Sequence, residues 1–228
     1  MDSFGLKIVA LTAMLCDHAG LTFLDSPSYL NIIGRIAFPI FAFQISEGYI
    51  HTKNLKKYFS RLAWFAIISQ IPFTLFSISV GASAFSLNIF FTLLLGLSSI
   101  VIYDKIKTKY NKKFLGFLFV ILFACLGNLC NCDYGWYGVT IIFLFYLFKN
   151  NKLLMNESII CIMFIKYLLG FVKSPNIYYL YFFVGALSSL AFINLYNNKK
   201  VKNIKYALYI FYPLHLFILA LIKLYIFN

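Results

Sequence analysis

The chain has 228 residues, of which 62% are hydrophobic and 12% charged, and it carries a net charge of +13. A soluble domain carries about 25% charged residues. No core of this length hides so much apolar surface, so a water-soluble globular domain is excluded and lipid is the expected solvent. The excess of bases does not point to nucleic acid. Lys and Arg are confined to short segments between apolar runs, which is the pattern of cytoplasmic loops.

A spanning helix takes about 17–25 mainly apolar residues. The chain reads as about nine such runs in a single membrane domain covering residues 1–228, an all-α polytopic transmembrane bundle. The first run, 6–24, holds Lys7, Asp17 and His18. A cleavable signal would not place an acid and an imidazole in its apolar stretch, so this run is read as a retained span. The second, 30–51, has Arg35 near its start and Glu47 and His51 one turn apart at its end. The third and fourth are 61–80 and 86–103, and in the latter Asn88 and Thr92, four residues apart, are read as a polar stripe on one helix face. The fifth, 114–131, and a short sixth, 135–148, flank the glycine-rich aromatic stretch Asp133-Tyr134-Gly135-Trp136-Tyr137-Gly138. The seventh is 153–172, the eighth 177–194, and the ninth, 205–227, contains Pro213 and His215. The five cysteines are odd in number and form no paired metal-binding spacing. They are read as free thiols, with no metal site.

Loop charge supports the count and orients it. Lys53, Lys56, Lys57 and Arg61 follow the second span, and Lys105, Lys107, Lys109, Lys112 and Lys113 the fourth. Lys149 and Lys152 follow the sixth, and Lys199, Lys200, Lys202 and Lys205 the eighth. Odd-numbered loops hold only Lys173. The excess of bases in even-numbered loops places those loops and the N-terminus in the cytosol, with the C-terminus outside.

Ionisable groups within a span are costly and are candidates for function. Lys7, Lys166 and Lys223 can also be read as snorkelling stems. Asp17 and His18 lie roughly 9 Å below the outer boundary of the first span at 1.5 Å per residue. Arg35 lies at a matching depth on the antiparallel second span, across a turn around Ser26-Pro27-Ser28. These three form the catalytic candidate: His18 as general base, with Asp17 and Arg35 setting its electrostatics. A plain Asp17–Arg35 ion pair with His18 merely packed is the structural alternative. Lys7 and His18 are eleven residues apart, so they share a helix face over roughly 16 Å. That layout suits a ligand with phosphates at one end and a reactive group on a long arm, the shape of acyl-coenzyme A, although a lone Lys at a helix end is common. Lys7, Glu47 and His51 are the candidate donor-binding groups at the cytosolic vestibule. Asn88, Asp133, Tyr134 and His215 are the candidate substrate contacts. For each of these a helix–helix hydrogen bond, a local ion pair or an interfacial anchor is the competing reading.

A family likeness runs through these same residues. It comprises Leu6-Lys7-Ile8 leading to Asp17-His18, Gly34-Arg35-Ile36-Ala37-Phe38-Pro39-Ile40-Phe41-Ala42-Phe43, and Glu47-Gly48 with His51-Thr52. It continues through Tyr58 with Arg61-Leu62, Gln70-Ile71-Pro72-Phe73, Asn88-Ile89-Phe90-Phe91-Thr92-Leu93, Asp133-Tyr134-Gly135 and Tyr212-Pro213-Leu214-His215-Leu216. In this order, over about residues 6–220, the chain resembles the TraX family of membrane proteins. That family is distantly similar to larger membrane acyltransferases that O-acetylate polysaccharides. Those enzymes share a basic residue, ten intervening residues and a histidine on the first span, which Lys7 and His18 match. The stretch 140–200 is loosely matched and supplies no motif on which the likeness rests.

The resemblance implies acyl transfer, most simply acetylation, from cytosolic acyl-coenzyme A to an amine or hydroxyl. A pilin N-terminus of a conjugation apparatus, another surface protein or a glycan would be the acceptor, and a bacterial inner membrane the setting. Two other functions fit the sequence. A transporter or permease would use the Asp-His-Arg cluster as a relay, and an assembly factor for a surface fibre would not need the cluster at all.

Overall fold

The computed structural model describes residues 1–24, 27–197 and 205–226. Among them it has ten α-helices: α1 (Ser3–Phe23), α2 (Tyr29–Gly34), α3 (Ala37–His51), α4 (Leu55–Ser79), α5 (Ile89–Tyr110), α6 (Lys113–Leu129), α7 (Gly135–Leu147), α8 (Lys152–Lys173), α9 (Tyr178–Asn194) and α10 (Lys205–Ile226). The only extended pairing among the described residues is an isolated bridge between Leu87 and Cys132. Six segments are long and apolar enough to cross a membrane, α2 and α3 counting together, and α6, α7 and α9 are shorter apolar helices. These correspond one for one with the nine runs of the sequence. The 13 residues of α7 span about 20 Å, short of the roughly 30 Å hydrocarbon layer.

Three boundaries differ from expectation. Helix α4 begins at Leu55, so Lys56, Lys57 and Arg61 lie on the helix instead of in a loop. Helix α5 runs on to Tyr110 and takes in Asp104, Lys105, Lys107 and Lys109. Lys and Arg are good helix formers, so these helices continue past the apolar stretch that the runs measured. The second span is broken: α2 ends at Gly34, and Arg35 and Ile36 form a turn before α3. Pro39 supplies the reason. It has no N–H for the carbonyl four residues earlier, which is that of Arg35, and its ring crowds that carbonyl. Of the turn between the first two spans, Ser26 lies outside the described residues, as do Lys199, Lys200 and Lys202.

The chain divides into two compact units. The first comprises Met1–Phe41, Ile71–Ala84 and Met163–Asn228. In it α1 packs on α2 and α10, and α2 on α9. Close approach of α9 to α2 is permitted by Gly185, where any Cβ would collide with the Ile32 carbonyl. The second unit comprises Ala42–Gln70 and Phe85–Ile162. In it α5, α6 and α7 pack against one another. Helix α6 shows why: Gly116, Val120 and Gly127 are buried on one face, while Phe114, Leu118, Ile121, Leu122 and Leu129 are exposed on the other. Small residues inward and large apolar residues outward is the inverse of a soluble helix, and it is how helices pack where the solvent is lipid. On α8, Phe164, Ile165, Leu168 and Val172 are likewise exposed.

In the second unit the α6–α7 connection is tied to the segment before α5. Leu87 donates to the Asn131 carbonyl (3.0 Å), and Asp133 donates to the Leu87 carbonyl (2.9 Å). Asn131 takes the left-handed conformation (φ 54°) to make this turn, which Asn tolerates better than most residues. The neighbouring thiols are set apart by it. Cys130 is exposed and Cys132 buried, and burial pushes the Cys132 thiol up to about 11. The thiolate is the reactive form. If the N-terminus lies in the cytosol, as the loop charges lead one to expect, this connection faces outward. A membrane-impermeant maleimide applied to intact cells should therefore label Cys130, and Cys130→Ser should abolish that labelling while Cys132 stays unmodified. Labelling that requires permeabilised cells would reverse the orientation.

Candidate functional site

Adjacent residues on a helix point about 100° apart at 3.6 residues per turn. In the first unit Asp17 and His18 thereby face different neighbours from one turn of α1. Asp17 faces α2. Its Oδ1 accepts from Arg35 Nη2 in an ion pair and from Asn31 Nδ2 at 3.0 Å. The same Asn31 amide also donates to the Asp17 carbonyl at 2.9 Å. Arg35 Nε donates to the Asn31 carbonyl at 3.1 Å, and the guanidinium lies over the Phe182 ring of α9, 5.0 Å from its centroid. Carboxylate, carbonyl and ring face thus hold the planar cation in one place. Gly34 is what lets Asp17 reach the break in the second span, because a Cβ there would overlap the Asp17 side chain.

His18 faces α10. Its Nδ1 is 2.8 Å from His215 Nε2, and His215 Nδ1 is 2.7 Å from the Phe211 carbonyl. His215 is buried at 5% exposure and stacks on Phe211, with centroids 4.8 Å apart and planes at 15°. Phe76 stands edge-on to His18 at 5.1 Å. His18 itself is half-buried, and among the described residues its Nε2 has no hydrogen-bond partner. One turn on, Thr22 Oγ1 donates to the His18 carbonyl at 2.8 Å, and Lys223 Nζ donates to the Thr22 carbonyl at 2.9 Å. Lys223 is therefore bound to the last turn of α1, a favourable place for a cation, and is not the snorkelling stem expected of it. Lys7 lies eleven residues before His18 on the same unbroken helix, as its spacing required.

The remaining candidates lie in the second unit. Glu47 Oε2 and His51 Nε2 are 3.4 Å apart, a pair within one helix. Asn88 does not sit on a helical stripe with Thr92, because it precedes α5 as its N-cap. Its Oδ1 accepts from Phe90 N (3.0 Å), and its Nδ2 donates to the Ala66 carbonyl (2.7 Å) and Gln70 Oε1 (2.9 Å). It fastens α5 to α4, which is the helix–helix reading of this residue. Asp133 bonds through its backbone to Leu87, and Tyr134 packs beside Tyr137 with centroids 6.4 Å apart.

Two contributors were not singled out by the sequence. Asn31 is one, although the spacing Ser28-x-x-Asn31 is that of a capping box. Asn31 Oδ1 accepts from both Ser28 N and Ser28 Oγ at 2.9 Å, and this turns its amide toward Asp17. Asp104 is the other. It accepts from the Tyr49 hydroxyl (2.8 Å) and the Tyr146 hydroxyl (2.6 Å) within the second unit. It stands one residue past the end of the fourth run, so its half-buried place between two tyrosines was not legible.

The model of the TraX family, described as TraX protein, matches residues 4–223. Over 243 aligned residues the chain is 30% identical to a protein of Dichelobacter nodosus named "Probable fimbrial assembly protein FimC, serogroup H1", covering 99% of this chain and 97% of that one. No solved structure matches. A family match over nearly the whole length, through the very segments that carry Asp17, His18, Arg35 and His215, makes this chain a member of the TraX family.

Proposed function

We propose that the protein is an acyltransferase embedded in the bacterial inner membrane. It moves an acyl group, most simply acetyl, from cytosolic acyl-coenzyme A to an amine or hydroxyl on a surface-fibre subunit. The observation that carries this reading is His18: an imidazole oriented through Nδ1, with Nε2 unengaged among the described residues, beside a fixed Asp17–Arg35 pair. An oriented imidazole with one nitrogen open is the form of a general base. A nearby fixed guanidinium is the form of a stabiliser for the oxyanion that develops on the thioester carbonyl. His18 takes the proton of the acceptor as it attacks. The carbonyl collapses with loss of the coenzyme A thiolate, which takes up that proton.

Lys7, on the same face of α1, supports a donor lying along the helix with its phosphates at the cytosolic mouth. The name of the Dichelobacter relative supports a fibre subunit as acceptor. Mass spectrometry of surface proteins and glycans from cells with and without the chain tests the proposal. An acetyl mass difference at a fibre-subunit N-terminus or at a glycan hydroxyl is expected. Identical surface masses, with solute flux through the purified protein in liposomes, would favour a transporter instead.

A further inference from the structure

We propose that His215 is the positioning partner of His18, holding it in the tautomer that leaves Nε2 as the base. The deduction is one of donors and acceptors. A carbonyl oxygen only accepts, so the 2.7 Å contact with Phe211 puts the hydrogen of His215 on Nδ1. A neutral His215 ring then has its lone pair at Nε2. That nitrogen faces His18 Nδ1 at 2.8 Å, so His18 Nδ1 is the donor. The lone pair of a neutral His18 is consequently at Nε2, the nitrogen without a partner among the described residues.

A carboxylate commonly fills this orienting role in histidine-dependent catalysis. Here the adjacent carboxylate, Asp17, is committed to Arg35 and Asn31, and an imidazole takes its place. His215 is suited to the role because burial and the stack on Phe211 restrict its ring.

The chemistry rests on the acyl-transfer reading, and it balances. The acceptor's N–H or O–H bond breaks and its proton binds His18 Nε2, while the proton on His18 Nδ1 shifts to His215 Nε2. The new acyl bond forms and the carbon–sulfur bond breaks. The His215 proton then returns to His18 Nδ1 as Nε2 protonates the thiolate, restoring both rings.

The chain has three histidines, so 15N-histidine NMR of the full protein in lipid nanodiscs reads each ring. The expected wild-type result is His18 and His215 both protonated at Nδ1, with His18 Nε2 unprotonated. In His215→Phe, His18 should shift to the Nε2–H form, and kcat should fall by about 10²-fold or more with KM little changed; a wrong tautomer costs up to about 10⁴-fold in hydrolase triads. His215→Gln, whose amide oxygen falls near the position of Nε2, should hold the His18 tautomer and recover most of the rate. A wild-type His18 protonated at Nε2, or a His18 tautomer unchanged in His215→Phe, would overturn the proposal. If His215→Phe does not fold, the wild-type and His215→Gln spectra still decide. The expected spectra in a protein that transfers no acyl group would refute the enzymatic reading and leave the His215 assignment standing.

Discussion

His18→Asn is expected to lower acyl transfer by about 10²–10⁴-fold, the contribution of a positioned general acid–base group, while the protein still inserts. Asparagine is the informative replacement. Its amide nitrogen falls near the position of Nδ1 and keeps a donor for His215 Nε2, but it places no base where Nε2 stood. His18→Ala should lose as much activity. It also leaves the buried His215 Nε2 without its donor, at a cost of about 1–3 kcal/mol. Transfer from labelled acyl-coenzyme A to a fibre-subunit acceptor, normalised to the amount of inserted protein, measures both variants. Wild-type rates in His18→Asn would remove His18 from the chemistry.

How much of this was legible in the sequence depends on distance along the chain. The nine apolar segments were, because a run of apolar residues is a local property. The grouping of Asp17, His18 and Arg35 was too, because a short turn between two spans forces them to similar depth. Arg35 was nonetheless read as lying on a continuous helix. The break that aims it comes from Pro39 four residues later, and the space for it comes from Gly34. His215 was recognised as a polar residue at mid-span and read as a substrate contact. Its approach to His18, across 197 residues, is set by the packing of α10 on α1, which no pattern within either helix encodes. Asn88 shows the opposite error. An i,i+4 pair with Thr92 suggested a helical stripe, but the side chain was wanted as a cap, the role in which Asn most often serves at a helix start.

Removing the Asp17 carboxylate should be more harmful to folding than removing the whole ion pair. Asp17→Ala leaves the Arg35 guanidinium with the Asn31 carbonyl and the Phe182 ring but without its counter-ion. Breaking a fully buried pair in this way costs about 3–5 kcal/mol. Side-chain exposures of 14% for Asp17 and 24% for Arg35 give water some access, so about 2–3 kcal/mol is expected. The double variant Asp17→Ala/Arg35→Met should recover much of that loss, because an apolar stem in an apolar site has no charge to desolvate. Thermal unfolding of the two single variants and the double in the same detergent measures the coupling. Additive losses would mean that the pair contributes nothing as a pair. The activity should behave differently from the stability. The double variant restores packing, yet it places no positive charge beside His18 to meet the developing oxyanion, so its transfer rate should stay as low as that of Arg35→Met alone. Recovery of activity together with stability would reduce Asp17 and Arg35 to a structural clasp between α1 and α2, leaving the imidazole pair as the whole of the chemistry.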